Sequence, residues 1–168
     1  MTFVVPFDGS TLAEAALVRA TEFGTVLEER VLAVSVIPNG NTRYSRERDW
    51  IGPNEGFDLE TVVSGLHEQV TDLCPSADFR HETVDRYAPS GTIAKRLQRV
   101  AEEVDASLVV IGSENAGRFV TSLSSIGGYV ASDDVYDVMI VRDRSPAKIA
   151  KVRTCSPHKR PKSDFYLS

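Results

Sequence analysis

Cysteine is scarce in this chain of 168 residues: Cys74 and Cys155 are the only two, far apart in unrelated contexts. A disulfide framework or a zinc cluster needs more. His67, His81 and His158 stand at no spacing that suits a metal ion. No apolar run approaches the roughly 18 residues that cross a bilayer. The opening MTFVVPFDGS has neither the basic nor the apolar part of a secretory leader. These absences predict a cytoplasmic protein with no metal site and no membrane association. The dinucleotide fingerprint G-x-G-x-x-G is also missing, since the first turn offers only Gly9. Lysine is nearly absent from the body, where Lys95 is the single example in residues 1–143.

What is present belongs to an ordinary globular domain. The chain is 42% hydrophobic and 26% charged, which excludes collagen and wholesale disorder, and its length suits one core. The net charge of −5 hides an asymmetry. Residues 144–168 hold seven Lys/Arg against Asp164, a net of +6, so residues 1–143 carry −11. An acidic surface repels nucleic acid and keeps a protein soluble, a lever that halophiles use. The last 25 residues, rich in proline and basic side chains, read as a disordered arm. The run Pro157-His158-Lys159-Arg160-Pro161-Lys162 is where such an arm would touch nucleic acid.

Periodicity divides residues 1–143 into alternating strands and helices. Phe3 to Pro6 is a short apolar strand ending at a proline, which cannot donate to a ladder. Ser10 or Thr11 then caps a helix whose inner face is Ala13, Leu17, Ala20 and Gly24, small residues that permit close approach to a sheet. Arg30 to Ile37 is apolar on both faces, as a covered parallel strand requires. Residues 38–57 show no period and read as one long loop, in which Tyr44 and Trp50 either cover a cleft, pack a partner or pack locally. A second helix carries Leu59, Val62, Val63, Leu66, Val70 and Leu73 and stops before Pro75. Phe79 to Val84 is a polar strand suited to a sheet edge. A third helix opens at Pro89-Ser90-Gly91-Thr92 and buries Ile93, Leu97, Val100, Ala101 and Val104. Ser107 to Ile111 is a buried strand, a short helix is predicted near 128–134, and Val138 to Val141 closes the domain.

Helical crossovers demand parallel neighbours joined with the right hand. The prediction is an α/β domain: one doubly wound five-stranded parallel sheet, Rossmann-like or flavodoxin-like, with helices on both faces. Such sheets bind ligands beyond the carboxyl ends of strands, where strand order reverses. That places Pro6 to Ser10 and Gly112 to Gly117 at the crevice. Gly112 to Phe119 imitates the spacing of a P-loop, but Arg118 replaces its lysine and Phe119 the hydroxyl that holds magnesium. The match to a motor-type NTPase fails at those two positions. Backbone amides of this glycine-rich turn can nevertheless surround an anion, with Asn115 and the fork of Arg118 as side-chain donors.

Four stretches together resemble the universal stress protein family: Val5-Pro6-Phe7-Asp8-Gly9-Ser10; Ser90-Gly91-Thr92-Ile93-Ala94; Asp105 through Ser113; and Tyr136 through Arg142. The resemblance covers residues 1–143 and leaves 144–168 as a separate tail. It implies a five-stranded parallel sheet, a homodimer through the last strand (Val138, Met139, Ile140, Val141) and a stress-response role without catalysis. One branch of the family binds ATP, with Mg or Mn, through G-x2-G-x9-G-(S/T). Here the first gap is x4 when Gly117 is taken as the second glycine, nine residues separate Gly117 from Gly127, and Gly128 stands where a hydroxyl is expected. The resemblance brings Pro6, Phe7 and Asp8 to the adenosine, Val36 to the adenine ring, and Gly112, Ser113, Asn115, Gly117, Arg118, Gly127, Gly128 and Tyr129 to the nucleotide. Two roles stay open: an adenine-nucleotide sensor, favoured by the Gly117-to-Gly127 spacing, and a scaffold module that binds no nucleotide, favoured by Gly128. A slow hydrolase lacks any residue to name as base. Cys74 at a helix end reads as a half-buried, unreactive thiol, and Ser113, Ser122, Ser124 and Ser125 as loop chemistry.

Overall fold

The computed structural model describes residues 1–116 and 136–143. In chain order the elements are β1 (Thr2–Pro6), α1 (Thr11–Leu27), β2 (Arg30–Pro38), α2 (Thr42–Glu47), α3 (Leu59–Leu73), β3 (Asp78–Val84), α4 (Ser90–Glu103), β4 (Ala106–Gly112) and β5 (Asp137–Val141). The strands form one sheet in the order β3-β2-β1-β4-β5, and every pairing is parallel. This is the doubly wound α/β sheet expected from the alternation of elements. The glycine-rich segment from Gly117, the helix expected near 128–134 and the basic tail lie outside the described residues.

Burial explains why the sequence adopts this arrangement. Eight of the nine β2 residues are buried, because β2 lies between β3 and β1 and is covered on both faces. On one face Phe3, Val5, Val31, Ala33 and Ile37 meet Ala13, Leu17 and Ala20 of α1 and Val62, Leu66 and Val70 of α3. On the other, Val4, Val34, Val36, Val109 and Ile111 meet Leu97, Val100 and Ala101 of α4. A fully buried side chain such as Leu17 or Val70 stabilises the fold by about 1.5–3 kcal/mol. Small residues let α1 lie close: a Cβ at Gly24 would sit 2.8 Å from a Val31 methyl. The α1 helix ends at Glu28, whose left-handed backbone (φ 58°) turns the chain into β2.

The two outer strands differ: β3 carries the polarity expected of an edge, whereas β5 is apolar from Val138 to Val141. On β3, Arg80 bonds to Glu82 and, at 2.7 Å, to Glu103 of α4, and Arg96 lies 3.5 Å from Glu82. The Arg80 hydrogen bond holds the Glu103 carboxyl below its ordinary range. On β5, Val138 and Met139 are half-buried and Ile140 is exposed.

One expectation is corrected. Residues 38–57 are not a featureless loop, because α2 occupies Thr42–Glu47. The Asn41 side chain accepts the Tyr44 N–H at 3.0 Å and caps this helix, and buried Ser45 donates its hydroxyl back to the Asn41 carbonyl at 3.0 Å. Six residues are too few for a helical period to show. Tertiary packing holds the turn: Tyr44 and Trp50 lie 5.6 Å apart between ring centres, and Ile51 is buried beside them in sequence.

Candidate functional site

The chain runs from β1 to β2 and β3 on one side, then passes to β4 and β5 on the other. The carboxyl ends of β1 and β4 therefore diverge into a crevice at the switch point. Residues 7–10 form its floor, and four bonds fix them. The Phe7 N–H donates to the Val34 carbonyl at 2.8 Å, and Ser35 donates its hydroxyl to the Phe7 carbonyl at 2.6 Å. The Trp50 indole donates to the Asp8 carbonyl at 2.7 Å, and Gln69 of α3 donates to the Gly9 carbonyl at 3.0 Å. Gly9 takes a left-handed backbone (φ 81°), and a Cβ there would lie 2.9 Å from Gln69 Oε1. Ser10 then caps α1, its hydroxyl accepting the Ala13 N–H at 3.2 Å.

Asp8 is held by both carboxylate oxygens. Oδ1 accepts the Ser10 N–H at 3.0 Å, and Oδ2 accepts the Asn115 side-chain amide at 3.1 Å. Residues 107 places apart in sequence thus meet across the crevice. An ionised carboxylate used in this way retains lone pairs for further donors.

Two spaces open from this point. An apolar cavity of about 60 Å³ is walled by Pro6, Val34, Val36, Ile93, Leu97 and Ile111, and closed on the α2 side by Tyr44 and Arg48. A polar cleft of about 640 Å³ lies next to it, bounded by Gly9, Ser10 and Thr11, by Glu47, Asp49 and Trp50, and by Gln69 and Glu114. Asp8, Arg48 and Asn115 border both. The cavity holds less than half of the roughly 150 Å³ that admits a benzene ring. A purine would therefore not sit wholly within it, and would extend toward the adjoining cleft. Arg48 lies flat over Tyr44, its guanidinium carbon 3.4 Å from the ring centre.

The structure brings Pro6, Asp8, Val36 and Asn115 to this site. Phe7 borders the cavity, but its ring belongs to the core of the opposite, α1–α3 face. Gly112 packs against α1 instead: a Cβ there would lie 2.9 Å from Leu12 Cβ and 3.0 Å from its backbone. Its bareness serves helix–strand contact. Ser113 is half-buried and borders neither space. Gly117, Arg118, Gly127, Gly128 and Tyr129 lie outside the described residues. Sequence reasoning missed Arg48, Ile93 and Leu97 as wall residues. Arg48 was not legible, because the α2 turn that sets it four positions after Tyr44 was itself read as loop. Among the described residues no group of His, Cys, Asp and Glu could hold a metal ion. No described helix is long and apolar enough to cross a membrane. Cys74 is buried, more deeply than its position at a helix end suggested, and His67 stacks on Phe79 at 5.0 Å.

No curated protein matches this chain. A hypothetical protein whose biochemical function was assigned from its structure is 15% identical, with a TM-score of 0.52, over 86% of this chain and 96% of that one. The universal stress protein from Archaeoglobus fulgidus in complex with dAMP is 17% identical, with a TM-score of 0.49, over 84% and 96%. A universal stress protein in complex with cAMP is 23% identical, with a TM-score of 0.48, over 86% and 98%. At these identities the likeness concerns the fold. The model of the universal stress protein family matches residues 1–142, almost all of the sequence that precedes the basic tail, and on that match the chain belongs to this family.

Proposed function

We propose that this protein binds an adenine nucleotide in the crevice and acts in a stress response by changing its surface on binding, without catalysing a reaction. The single observation that carries the reading is the meeting of an apolar cavity and a polar cleft at one hydrogen-bonded carboxylate, Asp8. An apolar slot takes a flat base, and a carboxylate beside it accepts the hydroxyls of a ribose. Val36 and Ile111 would face the base. In this reading ATP is the ligand that the family resemblance suggests, with a divalent cation offsetting the acids of the cleft. Asp8 serves as a binding group, because its partners, Ser10 and Asn115, orient it and neither is a base. Residues 1–143 form the folded unit, and the basic residues 144–168 a separate arm.

Trp50, the single tryptophan, lines the cleft and reports on it. Adding ATP, with and without magnesium, is expected to change Trp50 fluorescence and to release or absorb heat in a calorimeter. Asp8→Ala is expected to weaken binding at least about tenfold, the loss of one charge-assisted bond. Silence in both measurements up to millimolar ATP would refute nucleotide binding. The small volume of the apolar cavity favours a second reading, a scaffold module that acts through its β5 edge and α2. That reading stands if the nucleotide reading falls.

A further inference from the structure

A second polar cleft, of about 320 Å³, opens at the β3 edge of the sheet, where β2 and β3 end. It shares no lining residue with the crevice. Helix α4 stands between the two. Its Ile93 and Leu97 line the apolar cavity of the crevice. Thr92 and Arg96, each one position earlier and so about 100° round the helix, line the second cleft.

Arg86 joins Arg96 there, with Asn39, Thr83, Asp85 and Thr92 as the other polar groups. The Arg86 guanidinium lies against the backbone at Gly40, where a Cβ would sit 2.8 Å from its Nη2. Gly40, left-handed at φ 81°, makes room for it, and the Asn41 amide donates to the Arg86 carbonyl at 2.7 Å. Arg96 reaches Glu82 only at 3.5 Å, a carboxylate that Arg80 already holds at 2.8 Å. Both forks therefore keep N–H groups for an acceptor from outside the chain. A phosphate accepts bidentate bonds of this kind. The two arginines stand in a body that carries −11 over residues 1–143, a field that turns anions away unless a local site holds them. Asp85 adds a second requirement. A carboxylate repels a bare phosphate and accepts the hydroxyls of a polyol, as the Thr83 and Thr92 hydroxyls also do.

We propose that this cleft binds a small phosphorylated polyol of the sugar-phosphate class, with the phosphate on Arg86 and Arg96 and the hydroxyls on Asp85, Thr83 and Thr92. Its volume lies at the lower end of the roughly 300–1,000 Å³ of small-molecule sites, room for one sugar ring and its phosphate. The site does not depend on the nucleotide reading of the crevice.

The test is calorimetric titration of the full chain, at low salt, with glucose 6-phosphate, glucose and inorganic phosphate. Glucose 6-phosphate is expected to bind at least about tenfold more tightly than either of the others. Arg86→Gln and Arg96→Gln are each expected to weaken it about tenfold or more. Asp85→Asn should weaken glucose 6-phosphate and leave inorganic phosphate no weaker, a split that general damage to the fold would not produce. Saturating adenosine, which carries no phosphate and would occupy the crevice, should leave the titration unchanged. Melting curves confirm that each variant folds. The inference is overturned if glucose 6-phosphate fails to bind at millimolar concentration or inorganic phosphate binds as tightly. It is equally overturned if either arginine variant keeps the wild-type affinity or adenosine displaces the sugar phosphate. In each case the nucleotide reading of the crevice stands or falls on ATP alone.

Discussion

Alanine substituted at two helical glycines should move stability in opposite directions. In a helix interior Gly→Ala stabilises by about 0.8–1.0 kcal/mol when nothing else changes. Gly65 in α3 meets nothing within 4 Å of a built Cβ, so Gly65→Ala should gain close to that full amount. Gly24 in α1 is different. Its Cβ would lie 2.8 Å from a Val31 methyl and 3.0 Å from the Glu29 carbonyl oxygen. Val31 is buried and stiff at χ1, and it pairs with Phe3 in the sheet. The carbonyl belongs to backbone and cannot rotate away. Overpacking of this kind costs about 1–3 kcal/mol, which exceeds the helical gain. Gly24→Ala should therefore lose about 1 kcal/mol net, roughly 2 kcal/mol away from its partner variant. Urea unfolding followed by circular dichroism measures both, the midpoints shifting at constant slope. For a domain of this size the thermal midpoints should separate by about 4–8 °C. A neutral or stabilised Gly24→Ala, or two shifts of the same sign, would show that α1 does not press on β2 as described.

Two further predictions concern the sheet edges. The Arg80 hydrogen bond holds Glu103 below its ordinary value of 4.5, so its stabilising contribution is present above that value and is lost as pH falls through the depressed folded value. The melting-temperature gap between wild type and Glu103→Gln should be largest near neutrality and shrink as pH falls below the carboxyl's ordinary value; a gap independent of pH would contradict this. On the other edge, β5 pairs with β4 among the described strands and exposes Ile140. We expect a homodimer through Val138 to Val141, and light scattering should show Ile140→Lys as a monomer. A monomeric wild type would end that idea.

How much could be read beforehand differs from element to element. β2 and β4 were legible because parallel strands buried on both faces need unbroken apolar runs. The inner faces of α1, α3 and α4 were legible because 3.6-residue periodicity survives over 14 or more residues. α2 was not legible: six residues hold less than two turns, and its stability comes from the Asn41 cap and the Tyr44–Trp50 contact. Gly112 was assigned to a ligand because glycine near a strand end suits both close packing and anion binding, and only coordinates show Leu12 against it.

Local pattern in the chain determined the α/β class, the parallel sheet, the switch-point crevice and the candidacy of Pro6, Asp8 and Asn115, since periodicity and strand-end turns are properties of neighbours in sequence; the candidacy of Val36 came from the family resemblance. Tertiary structure decided that Asn115 bonds to Asp8, that Trp50 and Gln69 anchor the crevice floor, and that Arg48 lies between an apolar cavity and an acidic cleft. Those contacts join residues up to 107 positions apart. Hydrogen bonds and charges act through space at a few ångströms, and no spacing along the chain encodes which distant side chains folding will bring within that reach.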